Sequence, residues 1–178
     1  MRELNHPNIV KIYEFFDDTP NYYYLVLELM KGGKLFDHIE FYDEDAARNV
    51  CSTLLKVMKH MHGLGVVNRD LKPESFLLAS PGDDSRICLA DVGCAVSILD
   101  GPVSEPCGTP GYMAPEILRN QPYTTTVDMW SIGVIFHIIL AGYQPFANHD
   151  QNRLYRSIKL GHFRFQRKCW NDVSSEAK

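Results

Sequence analysis

Apolar residues recur at spacings of three and four along residues 43–63, which predicts one amphipathic helix. Asp43 stands at its start, where a carboxylate can accept hydrogen bonds from the free helical amides, and Gly63 and Gly65 end the pattern. The apolar positions are Ala47, Val50, Leu54, Met58 and Met61. Because these positions share one face of the helix, we expect that face to be buried.

Two segments near the N-terminus follow a different pattern, with many β-branched and aromatic residues. Residues 9–16 and 22–30 have this composition, and residues 17–21 between them supply turn-forming side chains. The pattern predicts a β-hairpin, which Gly32 and Gly33 end.

Shorter elements fill the rest of the chain. We predict strands at residues 66–67, 76–79 and 86–90, a turn at residues 80–85, and helices at residues 125–141 and 151–160. Residues 91–115 are irregular and rich in Gly and Pro. A connection of this length without regular structure indicates a functional segment.

The most apolar stretch is residues 127–141. It contains Asp128, Ser131 and His137, and it is shorter than the roughly 20 residues that a bilayer requires. The sequence therefore predicts a helix buried inside a globular domain, and no membrane attachment.

Composition narrows the class of protein. The chain has 178 residues, of which 45% are apolar and 22% charged, as is typical of one globular domain or part of a larger one. A net charge of -4 leaves no basic surface, so we expect no nucleic-acid partner.

The cysteines form no CxxC pair, and the N-terminus shows no export signal, so we expect a reducing, cytoplasmic environment. A zinc site at Cys51, His60 and His62 is disfavoured, because the two histidines lie two positions apart and face different sides of the predicted helix.

Three segments carry the candidate chemistry. In residues 67–78 (VNRDLKPESFLL) a strand end delivers Asp70 and Lys72 to the same side of an extended loop. In residues 91–93 (DVG) a carboxylate at another strand end is followed by a flexible glycine. The third segment is residues 108–116 (GTPGYMAPE).

In this order the segments resemble the HRDLKPEN catalytic loop, the DFG metal site and the GTPGYMAPE end of the activation segment of eukaryotic protein kinases. The chain most resembles the calcium/calmodulin-dependent serine/threonine group, including its calcium-dependent relatives. The resemblance implies an α+β, protein-kinase-like fold. Residues 1–30 would be a remnant of the small lobe and hinge, and residues 31–178 a large lobe truncated at its C-terminal end.

The implied function is ATP-dependent serine/threonine kinase activity with Mg²⁺ as the metal and a protein substrate bearing Ser or Thr. The implied catalytic residues are Asp70, Lys72, Arg69 and Thr109. The implied cofactor-binding residues are Glu28, Met30, Leu77, Glu74, Ser75 and Asp91, of which Asp91 and Ser75 would bind the metal. In the family, Asp70 would orient the substrate hydroxyl and Lys72 would neutralise charge on the transferring group.

Two supporting contacts follow from the same resemblance. Asp128 lies in an apolar helix, where a carboxylate needs hydrogen-bond partners, and we expect it to hold the backbone of the catalytic loop. We also hypothesise that the Glu105 carboxylate pairs with Arg69 and partly replaces an activating phosphate; an exposed Glu without that role is the alternative.

The chain departs from the family at several positions. Asn68 replaces the His of HRD and Val92 the Phe of DFG, which predicts a looser active arrangement, and Ser75 replaces an Asn that binds the second metal. Lys34 stands where relatives selective for basic substrates carry Glu. The glycine-rich loop and strand lysine of the family have no counterpart in residues 1–33.

Two functional classes therefore stay open. Asp70, Lys72 and Asp91 favour an active kinase. Asn68, Ser75, Val92 and the missing lysine favour a pseudokinase that binds a regulatory protein partner or nucleotide without turnover. For the 178-residue chain alone we expect negligible phosphoryl transfer. We also expect the hairpin to expose apolar surface, because two strands without sheet partners are only marginally stable in water.

Overall fold

The helix predicted after Asp43 is α1, Glu44–Gly63, in a computed structural model that describes residues 4–19 and 22–178. Asp43 accepts a hydrogen bond from the Ala46 amide at 2.8 Å, as expected for a capping carboxylate. The apolar face of α1 is buried and packs against a second long helix, α3, Thr126–Ala141. Most of α3 is buried, including Ser131, Ile135 and His137, and only a narrow stripe that contains Met129 and Gly133 is exposed, which confirms a helix that lies largely in the interior.

The remaining elements give an α+β fold, as predicted. The strands are β1 Ile12–Thr19, β2 Tyr22–Leu27, β3 Val66–Val67, β4 Phe76–Ser80, β5 Asp83–Leu89 and β6 Val96–Ser97. The other helices are α2 Pro115–Leu118, α4 Gln151–Leu160 and α5 Arg167–Trp170, with short 3-10 helices at Leu35–Phe41 and Pro73–Ser75. No helix within the described residues is long and apolar enough to cross a membrane.

The strands pair in three antiparallel ribbons, β1 with β2, β3 with β6, and β4 with β5. The segment after β2 joins the outer side of β4, where the Gly32 amide donates to the Leu78 carbonyl and the Leu78 amide to the Gly33 carbonyl, both at 2.9 Å. A Cβ on Gly32 would lie 2.5 Å from the Leu78 Cβ, so this close approach requires glycine. The contact places the segment beside Leu77.

The N-terminal hairpin is shorter than predicted at both outer ends. Residues Ile9 and Val10 belong to another contact, in which the Val10 amide donates to the Leu89 carbonyl at 2.9 Å. The predicted turn is shorter too, because β1 continues to Thr19; its residues 20 and 21 lie outside the described part of the chain. All of β2 is exposed, as expected for a ribbon without further sheet partners.

Several short elements were not predicted from the sequence. Residues 91–115, expected to be irregular, contain β6, and α2 begins at their last residue, Pro115. The predicted turn at residues 80–85 is also shorter, since β5 begins at Asp83. Elements of two to four residues are too short to give a readable periodicity, so the hydrophobic pattern cannot reveal them.

Candidate active site

The loop between β3 and β4, which carries Asp70 and Lys72, is held from below by Asp128. Asp128 is fully buried in the first turn of α3. Its two carboxylate oxygens accept the backbone amides of Asn68 and Arg69, each at 2.9 Å. The hydrogen bonds offset the cost of burying the carboxylate and confirm the expected contact with the loop backbone.

Asn68 links the catalytic loop to the segment that begins at Asp91. It is 1% exposed, its side-chain Nδ2 donates to the Asp91 carbonyl at 3.0 Å, and its Oδ1 accepts the Asp70 amide at 3.1 Å. At Asn68 the structure does not show the looser arrangement expected from the sequence. Its amide group has both a donor and an acceptor, and each reaches a backbone partner. Asn68 therefore fixes Asp70 and Asp91 relative to each other.

Asp70, Lys72 and Thr109 form a closed triangle of hydrogen bonds. The Lys72 Nζ donates to the Asp70 Oδ2 at 2.8 Å and to the Thr109 Oγ1 at 3.1 Å, and the Thr109 hydroxyl donates to the Asp70 Oδ1 at 2.6 Å. The hydrogen bond to Asp70 raises the pKa of Lys72, and the charges of Asp70, Asp91 and Glu74 raise it further. The lysine is therefore a fixed cation beside a carboxylate.

The two predicted metal ligands differ in availability. Asp91 is exposed, and its Oδ1 accepts the Gly93 amide at 3.0 Å, which leaves Oδ2 toward solvent. Ser75 is 1% exposed, and its hydroxyl donates to the Asp70 carbonyl at 3.3 Å. Because its hydrogen is used in that bond, the hydroxyl could bind a cation only through a lone pair of Oγ. The described residues contain no cluster of three or more His, Cys, Asp or Glu side chains suited to a metal.

This donor set fits Mg²⁺ bound together with a nucleotide. Mg²⁺ takes oxygen ligands, and in nucleotide sites one or two carboxylates suffice because phosphate oxygens and water complete the octahedron. The Asp91 carboxylate meets that requirement. Lys72 adds a positive charge on the same side of the loop.

The residues expected at the adenine ring lie along the segment after β2. The Glu28 amide donates to the Lys11 carbonyl at 2.8 Å, and its carboxylate forms a bidentate ion pair with Arg86 at 2.6 and 3.1 Å. The hydrogen bond with Arg86 lowers the pKa of Glu28. Met30 is half-buried, and Leu77 is half-buried on β4. The Glu28 side chain is therefore engaged, and its backbone carbonyl is the group left for a ligand.

Glu74 lies under the loop and beside Tyr112. Its Oε2 is buried and has no hydrogen-bond partner among the residues described. Burial first, and then the charge of Glu74, raise the pKa of Tyr112 to about 12. The Tyr112 hydroxyl accepts a hydrogen bond from the Gln144 side chain at 3.1 Å. Tyr112 therefore stays neutral, and Glu74 keeps an unused acceptor.

Arg69 connects the catalytic loop to the segment after Asp91. Its Nε donates to the Cys94 carbonyl at 2.7 Å, and its Nη1 lies 3.3 Å from the Tyr123 hydroxyl and 3.4 Å from the Glu105 Oε2. Arg69 and Glu105 therefore form the ion pair that was hypothesised. The Glu105 side chain is 77% exposed, so water screens the pair and its free energy is small.

Three contributors to this site were not predicted from the sequence. His62, which was considered only in the disfavoured zinc site, places its Nε2 2.8 Å from the Asp128 Oδ2. The buried Tyr123 contacts Arg69, and Cys94 forms a disulfide with Cys107. Only His62 could have been found from the sequence, because a residue four positions after Met58 lies on the same, buried face of the helix. The contacts of Tyr123 and Cys94 join loops whose paths the sequence does not determine.

A cleft of about 660 Å³ opens between the hairpin and β5. Leu27, Arg86 and Val92 are among its lining residues, whereas Asp70 and Lys72 are not. The cleft is therefore separate from the Asp70–Lys72–Thr109 triangle, in which the Asp70 and Lys72 side chains are 17% and 23% exposed.

Comparison with known proteins shows the family to which this chain belongs. The family model described as protein kinase domain matches residues 1–178, so the chain belongs to the protein kinase family.

The relatives carry names of one kinase group. The chain is 43% identical over its whole length to calcium/calmodulin-dependent protein kinase type 1 of Macrobrachium nipponense, where it covers 52% of that protein. It is 43% identical over 99% of its length to the type II alpha chain of Drosophila melanogaster, covering 34% of that protein. The chain thus spans about half, or less, of these relatives.

Proposed function

We propose that this chain provides the catalytic loop and metal-binding segment of an ATP-dependent protein serine/threonine kinase. Residues 1–30 would contribute the small-lobe and hinge part, and residues 31–178 the large lobe. The observation that carries the proposal is the hydrogen-bonded triangle of Asp70, Lys72 and Thr109. A carboxylate and a lysine fixed in this way can act on a hydroxyl and on a phosphoryl group at the same point.

Asp70 is the residue proposed to orient the substrate. Its carboxylate would accept the hydrogen bond of a Ser or Thr hydroxyl and take up the proton as the hydroxyl oxygen bonds to the γ-phosphorus and the bond to the ADP leaving group breaks. Thr109 holds one of its oxygens and Lys72 the other, which fixes the direction in which the carboxylate points. The Asn68 contact to the Asp70 amide keeps the loop backbone in place.

Lys72 and Asp91 are proposed to act on the nucleotide side. MgATP supplies the phosphoryl group and the divalent cation when it is bound. Lys72 neutralises negative charge that develops on the transferred group, a contribution that grows where water is excluded. Asp91 provides the carboxylate for the cation, with Ser75 as a weaker second ligand.

The adenine contacts complete the proposed nucleotide site. The Glu28 carbonyl and the Met30 amide would hydrogen-bond to the edge of the ring, with Leu77 as the apolar floor. The ion pair between Glu28 and Arg86 supports this use of the backbone, because it anchors the segment beside β5. Glu74 belongs to the proposed site because it contributes negative charge near Lys72, and its buried Oε2 has no hydrogen-bond partner among the described residues.

Nucleotide-dependent stabilisation of the 178-residue chain tests the proposal. A ligand at about 100 times its dissociation constant stabilises the folded state by about 2.7 kcal/mol, which corresponds to a rise in Tm of roughly 5–10 °C. We expect this rise with ATP and Mg²⁺ together, and its loss in Asp91→Asn. The exposed Asp100 provides the matched control, Asp100→Asn, in which the rise stays.

The second candidate is a pseudokinase. It is favoured by the Ser75 hydroxyl, which is buried and bonded to the Asp70 carbonyl where an active kinase needs a metal ligand. ATP binding that is equally strong without Mg²⁺ and insensitive to Asp91→Asn would favour this candidate, and no nucleotide binding would contradict the kinase proposal. Asp70-dependent transfer to a serine peptide would exclude the pseudokinase.

Partners are proposed at the level of class. The substrate is a protein with a Ser or Thr hydroxyl, and the KPE sequence at residues 72–74 is what favours these over Tyr. The relatives are named for calcium and calmodulin, and a regulatory protein partner for this chain is proposed by analogy with those names.

A further inference from the structure

Two of the five cysteines lie at the two ends of one loop beside the catalytic site. Cys94 directly follows the Asp91–Gly93 segment, and Cys107 directly precedes Gly108 and Thr109. The structure pairs them as a disulfide, with Cα atoms 6.8 Å apart and a sequence separation of 13. Both residues are half-buried, and the other three cysteines are free.

Both ends of this loop contact Arg69. The Cys94 carbonyl accepts the Arg69 Nε at 2.7 Å. On the other side, Gly108 approaches so closely that a Cβ would lie 2.8 Å from the Arg69 carbonyl, and its φ of +128° also favours glycine. The bond between Cys94 and Cys107 therefore joins the two backbone segments that border Arg69.

Several contacts besides the disulfide hold the loop that the cysteines enclose. The Ile98 amide donates to the Gly65 carbonyl at 2.8 Å, the Tyr123 hydroxyl donates to the Glu105 carbonyl, and Val96, Ile98 and Val103 pack against a buried apolar cluster. The β6 strand pairs with two residues of β3, and Val103 forms a bridge with Tyr123. The pair of Arg69 and Glu105 is exposed and therefore weak. Leu99 at the tip of the loop is 77% exposed. A covalent link at the base of this loop will restrict its conformations further.

The disulfide has no evident role as a folding staple. The domain has a continuous apolar core built on α1 and α3, and domains with such cores fold without disulfides. In a reducing compartment, which the sequence predicts for this chain, disulfides more often act in redox sensing or catalysis. Cys107 lies two residues before Thr109 and Cys94 directly after Gly93, which ties the pair to the catalytic loop.

We propose that Cys94 and Cys107 form a reversible redox modification site, and that its disulfide form orders residues 95–106 and the Thr109 contact with Asp70. The oxidant is a small-molecule disulfide such as oxidised glutathione. One cysteine thiolate attacks it, releases one glutathione thiol and forms a mixed disulfide. The second cysteine thiolate then displaces the other glutathione. Two protein thiols are oxidised, and one glutathione disulfide is reduced to two thiols.

The first test measures the pairing itself in the 178-residue chain. The chain is equilibrated at a series of reduced-to-oxidised glutathione ratios, its thiols are blocked with iodoacetamide, and the peptides are identified by mass spectrometry. We expect the ratio of linked to unlinked Cys94–Cys107 to fall with the square of the reduced glutathione concentration at a fixed concentration of oxidised glutathione. Cys51, Cys88 and Cys169 should be alkylated throughout. Mixed disulfides without the internal link, or random pairing, would overturn the proposal.

The second test measures order in the loop by limited proteolysis with chymotrypsin. We expect cleavage after Leu99 to be at least fivefold faster in the reduced chain than in the oxidised chain. Cleavage after Tyr23, which is 75% exposed on the hairpin, is the internal reference and should not change. Equal Leu99 rates in both forms would contradict the ordering role.

Matched variants separate this site from general effects of oxidation. Cys107→Ser should make Leu99 cleavage independent of the glutathione ratio, whereas Cys169→Ser should leave the wild-type dependence intact. A redox dependence that survives in Cys107→Ser would overturn the assignment. Neither test uses nucleotide or phosphate transfer, so its outcome is independent of the proposed kinase activity.

Discussion

The N-terminal hairpin and the residues that support the catalytic loop differ in which kind of side chain is buried. Below the loop, the fully buried Asp128 binds two backbone amides and His62, and the 1% exposed Asn68 satisfies two more groups. On β2 every residue is exposed, including Tyr23 at 75% and Leu25 at 47%. One region consists of buried, satisfied polar groups, and the other of apolar groups left in water.

The difference indicates where the stability of the chain resides. Burial of apolar surface stabilises a fold by roughly 25 cal/mol per Å², and the hairpin gains little of it. The hairpin depends instead on a few links to the rest of the molecule, of which the Glu28–Arg86 ion pair and the Val10–Leu89 hydrogen bond are the clearest. We expect substitutions below the loop to affect global unfolding and substitutions in the hairpin to act locally.

The largest effect is expected for Asp128→Ala. The substitution leaves the Asn68 and Arg69 amides without partners in a buried site, and we expect the free energy of unfolding to fall by about 3–5 kcal/mol. Urea unfolding followed by tryptophan fluorescence measures this change. Asp100→Ala, at an exposed carboxylate, is the control and should change stability by less than about 0.5 kcal/mol. A loss below about 1 kcal/mol in Asp128→Ala would show that the loop does not need this support.

A matched pair of leucines tests the apolar half of the comparison. Leu54 on α1 is 1% exposed, whereas Leu25 on β2 is 47% exposed. We expect Leu54→Ala to cost roughly 2–5 kcal/mol in urea unfolding, because it removes buried atoms and leaves a cavity. Leu25→Ala should cost less than about 1 kcal/mol.

The protein concentration serves as the control for that pair. If the hairpin is covered in solution by a second molecule, the cost of Leu25→Ala will rise with concentration and approach that of Leu54→Ala. If Leu25→Ala costs as much as Leu54→Ala at every protein concentration, the hairpin is not exposed. The contrast between the hairpin and the loop support would then be wrong.

The long elements were predictable because their patterns extend over many residues. Helix α1 begins at Glu44 after the capping Asp43, and α4 has the predicted bounds of residues 151–160. The family resemblance also brought Asp70, Lys72 and Thr109 together correctly, because the three motifs keep a fixed spatial relation in that fold. Periodicity and motif together therefore predicted the scaffold and the centre of the site.

The sequence could not predict contacts that depend on loop geometry. The roles of His62 and Asn68, and the pairing of Cys94 with Cys107, all join segments distant in sequence. The ends of the hairpin were misjudged for a related reason: Ile9 has high strand propensity, but its neighbour Val10 bonds to Leu89, so tertiary contacts override the local preference.

The smallest effect is expected for Glu28→Gln, which tests how the hairpin is held. The pKa of Glu28 is lowered by its hydrogen bond with Arg86, so the pair stabilises the folded state above the ordinary pKa of 4.5. This stabilisation is lost as the pH falls through the lowered pKa. Because the Arg86 side chain is 43% exposed, the effect is at most about 1 kcal/mol, or roughly fivefold in a local opening equilibrium.

Amide hydrogen exchange in β1 and β2 measures this link directly. We expect protection factors at pH 7 to be up to about fivefold lower in Glu28→Gln than in the wild type, and the difference to vanish as the pH falls through the lowered pKa. Glu14→Gln, at an exposed glutamate of β1, is the matched control and should behave as the wild type. A difference in protection factors that does not depend on pH would contradict a role for the Glu28 charge. A loss of protection that spreads to α1 and α3 would mean that Glu28 supports the whole domain, and the hairpin and the loop would then differ only in exposure.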